Sequence, residues 1–171
     1  MTSASDILWL SILSEDYWWS QYITGFKWGS TMNDSTEYKI DTISALTDTG
    51  TSCIIGPTSA VASIRNTILN LATNVSTSSS WDYLFDCSSK SSFPEFELLY
   101  GGYWFKVTAD DYTIEVSSSS STCALCLSAY DNLSYWILGD AFMRGWYNIH
   151  DHGNLRMGFV PFTGSTKSVP T

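Results

Sequence analysis

The alternation of apolar and polar positions predicts a chain built mostly from β-strands. Short segments rich in aromatic and β-branched residues recur along it, separated by turns that contain Gly, Asn, Asp or Ser. The predicted strands are Ile7–Leu13, Tyr17–Trp28, Glu37–Ile43, Tyr83–Asp86, Glu95–Tyr100, Tyr103–Val107 and Tyr112–Val116. The block from Tyr135 to Pro161 predicts an apolar strand, a short helical turn at Ala141–Arg144 and two final strands. A turn is expected at Gly29–Ser35, and Gly101-Gly102 predicts a hairpin.

One segment has the period of an amphipathic helix. Thr58 or Ser59 can cap its start. Its apolar stripe consists of Val61, Ile64, Ile68, Leu69 and Leu71, and the opposite side carries Arg65, Asn66 and Asn70. We expect this helix to be a packing element.

Composition sets limits on the class of protein. The chain has 171 residues, of which 44% are hydrophobic, so one domain with a substantial core is expected. Its net charge of −9 argues against nucleic acid and anionic membrane surfaces as partners. Apolar runs are too short to span a bilayer. The segment Ile7–Leu13 has neither a preceding basic residue nor a following cleavage site, which argues against a signal peptide.

The four cysteines allow several interpretations. Cys123-Ala-Leu-Cys126 has the spacing of a redox or zinc half-site, but neither a second Cys pair nor a His pair completes it. If the protein is exported, a disulfide between Cys87 and Cys123 is favoured. Cys53 and Cys126 are then either buried thiols or a second bridge.

Other short motifs carry weaker signals. Three glycosylation acceptor triplets begin at Asn33, Asn74 and Asn132, each in a polar context, and they shift the expectation towards a secretory route. His150 and His152 would lie on one face of a strand beside Asp151, without a third metal ligand, so a surface strand is favoured over a metal site.

The stretch Leu46–Ser52 holds a single acid, Asp48, within a run of hydroxyl residues. Most such acids lie in ordinary turns. A carboxylate that acts on water, however, needs donors that keep it ionised, and backbone N–H groups approach it most closely where a residue lacks Cβ. Gly50 allows that approach, and the hydroxyls of Thr51 and Ser52 are further candidate donors. The stretch therefore makes Asp48 a candidate catalytic aspartate.

Three separated motifs resemble one family. Asp48-Thr-Gly-Thr-Ser52, followed by Ile55-Gly-Pro-Thr58 and a helix, resembles the second active-site segment of pepsin-like aspartic proteases. Trp136–Arg144, Tyr147–Asp151 and Met157–Val160 resemble the end of the same family's chain. Cys87, the following Phe93-Pro94 and Cys123 are similar to its C-terminal-lobe disulfide region, and Trp9–Trp18 resembles the approach to that lobe.

The resemblance implies a fold and residue roles. We expect a mainly β, pepsin-like lobe with double-psi β-barrel-like sheets and one or two short helices, covering residues 1–162 and followed by a polar tail at 163–171. Asp48 would lie on a loop crossed by the strand at Ile137–Gly139. By motif position, Thr49 would bond across the lobe interface, Gly50 and Thr51 would hold the carboxylate, and Ser52 would lie beside it. The sequence departs from the family at Cys53, where an aliphatic residue is usual, and at His150, where Phe is common.

The implied activity requires more than this chain. Aspartic proteolysis uses two carboxylates that share a proton across a water molecule, and the family's first aspartate and its flap come from an N-terminal lobe. This sequence has one Asp-Thr-Gly, and the resemblance gives Asp140 a structural role. The favoured interpretation is a lobe of an aspartic endopeptidase, without cofactor or metal, whose partners are the N-terminal lobe and a polypeptide substrate. A secreted or lysosome/vacuole-like location is expected. The alternatives are a stand-alone, non-catalytic lobe that binds protein or peptide, and a pair of identical chains that supplies two copies of Asp48.

Overall fold

A computed structural model of the chain describes residues 6–13, 18–28, 36–117, 119, 121–162, 165 and 170–171. The predicted turn at Gly29–Ser35 and the acceptor triplet at Asn33 lie outside the described residues. Within the described ranges the protein is mainly β, as predicted. None of the helices in these ranges combines the length and apolarity needed to cross a membrane.

Strands are the commonest regular element among the described residues. They are β1 (Leu8–Ser11), β2 (Ser20–Trp28), β3 (Thr36–Thr47), β4 (Ile54–Pro57), β5 (Leu84–Asp86), β6 (Phe96–Tyr100), β7 (Tyr103–Val107), β8 (Thr113–Ser117), β9 (Thr122–Leu125), β10 (Leu127–Tyr130), β11 (Trp136–Leu138), β12 (Tyr147–Asp151) and β13 (Arg156–Val160). The predicted hairpin joins β6 to β7, and both Gly101 and Gly102 have positive φ there. The sequence did not predict β4, β9 and β10. In β9 three consecutive residues are buried, and in β10 exposure rises from buried Leu127 to exposed Tyr130, so neither strand shows the alternation that marks a half-exposed strand.

Four short helical elements accompany the strands within the described ranges. They are α1 (Thr58–Leu71), a 3₁₀ helix (Cys87–Ser92), α2 (Ala109–Tyr112) and α3 (Asp140–Met143). The prediction that Thr58 or Ser59 caps α1 is wrong, because Pro57 is the N-cap and no side chain caps the helix. The Thr58 hydroxyl instead donates to Asp131 Oδ1 at 2.6 Å, a contact across 73 residues that local sequence cannot reveal.

The strands form three sheets within the described part of the chain. Seven strands lie in the order β10-β4-β11-β3-β2-β6-β7, and two three-stranded sheets have the orders β1-β13-β12 and β5-β9-β8. The helix α1 packs against β4 and β10. Its buried side is narrower than the predicted stripe, since Val61, Ile64 and Ile68 are buried but Leu71 is 44% exposed.

The feature that positions the candidate site is the insertion of β11 between β3 and β4. A loop at residues 48–53 connects β3 to β4, yet these two strands are not neighbours in the sheet. β11 lies between them, parallel to β3 and antiparallel to β4, with Leu138 opposite both Thr47 and Ile54. The loop that carries Asp48 must therefore pass over the end of β11, as the resemblance implies.

Two disulfides connect distant parts of the chain. One joins Cys87 to Cys123, the pair that the resemblance implies. The other joins Cys53 to Cys126, and this pairing resolves the alternatives that the sequence left open. The two cysteines of the Cys-Ala-Leu-Cys segment thus have different partners.

An aromatic cluster forms the part of the core that supports α3. Phe142 of α3 packs against Tyr100, Phe105 and Phe159, with ring centroids between 5.5 and 6.4 Å apart. All four rings are at most 1% exposed. Burial of such large rings, together with their tilted and edge-to-face geometry, fixes α3 on the sheets. Because α3 follows β11 directly, this packing also fixes the crossing beside Asp48.

Candidate active site

Asp48 begins the loop between β3 and β4, and its carboxylate accepts hydrogen bonds from the same loop. The Gly50 N–H donates to Oδ1 at 2.8 Å, and the Thr51 hydroxyl donates to Oδ2 at 2.7 Å. The turn is closed by the Thr51 N–H, which donates to the Asp48 carbonyl at 3.2 Å. Each carboxylate oxygen therefore has one donor, and lone pairs remain on the outer side.

These donors favour the ionised form of the carboxylate. The hydroxyl of Thr51, and then the N–H of Gly50, hold the pKa of Asp48 below its ordinary value. Burial acts in the opposite direction but is the smallest contribution, because this side chain lies near water. Asp48 is thus an anion over most of the pH range.

The backbone of the loop is bonded to the segment that crosses it. The Asp48 N–H donates to the Leu138 carbonyl at 3.1 Å, at the end of β11. Beyond that point, the N–H groups of Asp140 and Ala141 donate to the carbonyls of Thr51 and Ser52, at 2.8 and 2.9 Å. Loop and crossing segment share these bonds, so the direction of the Asp48 side chain depends on both.

Gly139 makes this crossing possible. Its N–H donates to the Cys53 carbonyl at 3.2 Å. A Cβ atom on Gly139 would lie 2.1 Å from the Thr51 carbonyl oxygen and 2.6 Å from that of Cys53, both of which are backbone atoms. Only glycine fits this approach without displacing the loop.

Thr47, immediately before Asp48, anchors the end of β3. Its N–H and its hydroxyl both lie within hydrogen-bond distance of the Trp19 carbonyl, at 2.9 and 3.1 Å, and the hydroxyl is 3.3 Å from the Met157 sulfur. The side chain is only 7% exposed. Asp48 therefore projects from a buried, hydrogen-bonded base.

Two cavities open on Asp48. The larger, of about 360 Å³, is lined by Trp18, Ser20, Ser44, Leu46, Asp48, Tyr135 and Ile137. The smaller, of about 300 Å³, is lined by Trp18, Trp19, Leu46, Thr47, Asp48, Thr49 and His150. Asp48 is the only acid among the residues that line either cavity in the described part of the chain. Asp140, the nearby acid in sequence, contributes its backbone to the crossing and begins α3.

Thr49 and Ser52 do not hold the carboxylate. Thr49 is exposed, and its hydroxyl has no hydrogen bond to the described residues. Ser52 is also exposed, and its backbone carbonyl makes the contact with Ala141. Of the residues singled out from the sequence, Gly50 and Thr51 contact the Asp48 carboxylate, whereas Thr49 and Ser52 flank it.

His150 lies closer to Asp48 than sequence reasoning indicated. It lines the smaller cavity, and its ring packs edge-on against Trp19 with centroids 4.8 Å apart. His152 also contacts Trp19, at 6.0 Å, so both imidazoles face the same side. Burial lowers the pKa of His150. No group of three potential metal-binding side chains occurs among the described residues.

The remaining cavity residues were missed from the sequence. Tyr135 and Ile137 line the larger cavity and are two positions apart, so they lie on one face of β11 and its approach. The alternation of residues before Gly139 could have indicated that Tyr135 and Ile137 share a face. It does not show that Trp18, over one hundred residues earlier, also lines the cavity. That proximity comes from the pairing of β2 with β3 and of β3 with β11.

Comparison with known proteins gives consistent matches. A family model described as eukaryotic aspartyl protease matches residues 2–162. Human cathepsin D is 33% identical over 123 residues, which are 68% of this chain and 28% of the relative. Bovine pepsin A is 29% identical over 160 residues, which are 90% of this chain and 39% of the relative. Human napsin-A is 32% identical over 119 residues, which are 66% of this chain and 27% of the relative. The chain thus spans less than half the length of each of these relatives.

Proposed function

Because this chain belongs to the eukaryotic aspartyl protease family, we propose that it is one lobe of an aspartic endopeptidase and that Asp48 is one of its two catalytic aspartates. The observation that carries the proposal is the Asp48 carboxylate itself. It is held by Gly50 and Thr51, crossed by β11 and open to two cavities. Residues 1–162 would form the C-terminal lobe and 163–171 its polar tail.

The hydrogen bonds to its carboxylate support Asp48 as the general base of the proposed pair. A carboxylate with a lowered pKa stays ionised in acid, where a second carboxyl group can remain protonated. Two carboxyl groups that face each other across a water cannot both ionise easily, so they share one proton. Thr51 and Gly50 favour the charged state on this side of the pair.

The chemistry then follows from that proton distribution. Asp48 removes a proton from the water while the water oxygen bonds to the carbonyl carbon of the substrate, and the second carboxyl group donates its proton to the carbonyl oxygen. In the resulting tetrahedral diol, the protonated Asp48 donates its proton to the amide nitrogen as the C–N bond breaks, and the second carboxylate takes a proton from one diol hydroxyl, which restores the starting proton distribution. The products are a carboxylic acid and an amine. No metal or cofactor takes part in this scheme.

Two observations support a second lobe as the source of the other aspartate. Within the described ranges, neither cavity on Asp48 contains another acid. The chain covers 28% and 39% of cathepsin D and pepsin A. Thr49, beside Asp48, is exposed, and we propose that its hydroxyl bonds across the interface with such a lobe.

The cavities favour an extended polypeptide as substrate. Trp18 is 64% exposed and Tyr135 is 38% exposed, and both line the larger cavity with Leu46 and Ile137. An apolar side chain next to the scissile bond would cover these surfaces and remove them from water. The backbone of the peptide would then lie over Asp48.

The disulfides indicate an oxidising environment. Cys53–Cys126 and Cys87–Cys123 would not persist in a reducing cytosol. A secreted or lysosome/vacuole-like location is therefore proposed. An acidic compartment would also suit a pair of carboxyl groups that must hold one proton.

The proposal is tested by restoring a second lobe. The chain is fused behind the N-terminal portion of a relative such as cathepsin D, in place of the matching C-terminal portion, and cleavage of acid-unfolded protein is followed from pH 3 to 7. We expect cleavage with an acidic optimum. The matched control is Asp48→Asn, which preserves size and removes the base, and it should be inactive.

The same experiment can contradict the proposal. Binding of a transition-state-analogue peptide shows whether the fusion is folded and its cavity is formed. A folded fusion that binds this peptide but does not cleave protein would overturn the catalytic role. Equal cleavage by the Asp48→Asn fusion would overturn the assignment of Asp48.

A further inference from the structure

From the structure we propose that Asn132 is an N-glycosylation site. Asn132-Leu133-Ser134 is an acceptor triplet in the turn between β10 and β11. This inference is independent of the catalytic role of Asp48. It rests on the exposure and hydrogen bonding of this triplet, compared with those of the triplet at Asn74.

The turn exposes both groups that define the triplet. Asn132 and Ser134 are exposed, and Leu133 between them is half-buried. Asn132 has φ +63°, a left-handed conformation that Asn adopts more readily than most residues. Its side-chain amide has no hydrogen bond to the described residues. A glycan on Nδ2 would therefore extend into solvent without breaking a contact.

The base of this turn is fixed. Asp131 accepts the 2.6 Å hydrogen bond from Thr58, at the start of α1. On the other side, Trp136 is buried and begins β11. The glycan would be attached to a short segment between two anchored points, so it would not disturb the sheet.

Asn74 provides an internal comparison. It is also exposed and has φ +55°. Its Nδ2, however, donates to Asp86 Oδ2 at 2.6 Å. The acceptor residue Ser76 is paired through its backbone with Leu84, at 2.9 and 2.8 Å. A glycan at Asn74 would be attached to the same nitrogen that donates the hydrogen bond to Asp86.

The two disulfides are the second, independent observation. They place the chain in a compartment with an oxidising lumen, where N-glycosylation also takes place. The co-reactant is a lipid-linked oligosaccharide diphosphate. Asn132 Nδ2 forms a bond to the anomeric carbon, the bond from that carbon to the diphosphate oxygen breaks, the amide loses one proton, and the lipid diphosphate leaves.

The site also has a defined position relative to Asp48. Tyr135 lines the larger cavity and follows Asn132 by three residues, so their Cα atoms are at most about 11 Å apart. Tyr135 and Ile137 lead along β11 towards Asp48. Asn132 is not among the residues that line that cavity, so a glycan there would be attached near the cavity and outside its lining.

The test uses the full chain, directed to the secretory route of a eukaryotic host. Variants that each keep one triplet are compared: N33Q/N74Q keeps Asn132, and N33Q/N132Q keeps Asn74. Intact mass is measured before and after digestion with an N-glycan-specific glycosidase. We expect most N33Q/N74Q molecules to lose one glycan mass, with occupancy several-fold higher than in N33Q/N132Q.

Two further substitutions test whether the glycan depends on the hydroxyl residue of the triplet, Ser134. In the N33Q/N74Q background, S134T should keep the glycan and S134A should abolish it. If any variant fails to fold, the unaltered chain is deglycosylated in heavy-oxygen water, which labels each formerly occupied Asn as Asp. A secreted chain without a label at Asn132, or occupancy at Asn74 equal to or above that at Asn132, would overturn the proposal.

Discussion

Asp48 and Asp151 are held in similar ways but have different surroundings. Each accepts hydrogen bonds from residues a few positions further along the chain, and each has a lowered pKa. Asp151 accepts bonds from the backbone and side chain of Asn154, at 3.1 and 2.8 Å, and from Arg156 Nε at 2.7 Å. Asp48 has Gly50 and Thr51 as donors and no cation among the described residues.

The two carboxylates differ in the charge of their donors and not in whether they accept hydrogen bonds. The donors of Asp151 include a guanidinium, which neutralises its charge and stacks on the Trp9 ring with Cζ 3.9 Å from the ring centroid. Its bonds therefore stabilise the turn between β12 and β13. Asp48 is held by neutral donors, and its charge remains available to a water in the adjoining cavities.

The largest expected effect comes from removing each charge in turn. In the two-lobe fusion, Asp48→Asn should lower kcat/KM by at least about 1,000-fold, because the general base is lost. Asp151→Asn should leave kcat/KM within a few-fold and lower the melting temperature instead. The measurements are initial rates on acid-unfolded protein and thermal unfolding followed by circular dichroism. Comparable rate losses in both variants would contradict the distinction between the two carboxylates.

The next largest effect is expected from replacing a glycine near each carboxylate, Gly139 near Asp48 and Gly153 near Asp151. Gly139→Ala should lower the free energy of unfolding by about 3 kcal/mol, since the new Cβ meets two backbone carbonyls. Gly153→Ala is the matched control in the Asp151 turn, where the nearest atom is Asp151 Oδ1 at 3.7 Å. It should change stability by less than about 0.5 kcal/mol. Urea denaturation measures the free energy of unfolding of both variants. Equal losses would show that the crossing at Gly139 has room for a Cβ atom.

A smaller effect is expected from removing a neutral donor. Thr51→Val keeps the size of the side chain and removes the hydroxyl, so the pKa of Asp48 should rise towards its ordinary value. Since a lowered pKa stabilises the fold above the unfolded-state pKa and this gain disappears as the pH falls through the folded-state value, the variant should lose stability above about pH 4. The loss should stay below about 1 kcal/mol because Asp48 is close to water.

The same substitution should change the pH profile of catalysis. In the fusion, the acidic limb of the rate should move to higher pH for Thr51→Val and return for Thr51→Ser. Asn154→Ala, which removes a donor from Asp151, should leave that limb in place. If the limb does not move in the Thr51→Val fusion, Thr51 does not set the ionisation of Asp48.

The smallest expected effect lies between the two regions, at His150. Its lowered pKa means that the folded protein binds fewer protons than the unfolded chain, so stability should fall as the pH drops below the unfolded-state pKa of about 6.5. His150→Phe should flatten this decline, because Phe cannot be protonated. Melting temperatures from pH 7.5 to 4 measure the slope. An unchanged slope would show that His150 does not contribute to it.

Much of the fold could be predicted from sequence because its signals are local. The hairpin at Gly101-Gly102, the helix beginning near Thr58 and the Asp48 motif are each encoded within a few residues. The resemblance at three separated motifs supplied the crossing of the Asp48 loop by the segment at Ile137–Gly139. The comparisons confirm the family, and the sheets confirm a mainly β fold.

The remaining features depend on contacts between distant residues. The Cys53–Cys126 disulfide spans 73 positions, and its cysteines show no local signal of pairing. The prediction that Thr58 caps α1 was wrong for a similar reason, since the Thr58 hydroxyl donates to Asp131. His150 of β12 lies in a cavity beside Asp48 because its ring packs against Trp19, which precedes β2 in a different sheet. Such proximities are set by topology, which residue pattern alone does not specify.

The crossing of β11 also has a consequence for the order of folding. Asp48 is synthesised about ninety residues before Gly139, and contacts so far apart in sequence form slowly because a long loop must close first. β3 and β4 follow each other in sequence, but they cannot join one sheet until β11 enters between them. A nascent chain that has not yet produced residue 139 therefore carries the Asp-Thr-Gly sequence without the backbone bonds that Gly139, Asp140 and Ala141 donate to its loop. The candidate catalytic carboxylate would acquire its final position only after residue 139 has been synthesised.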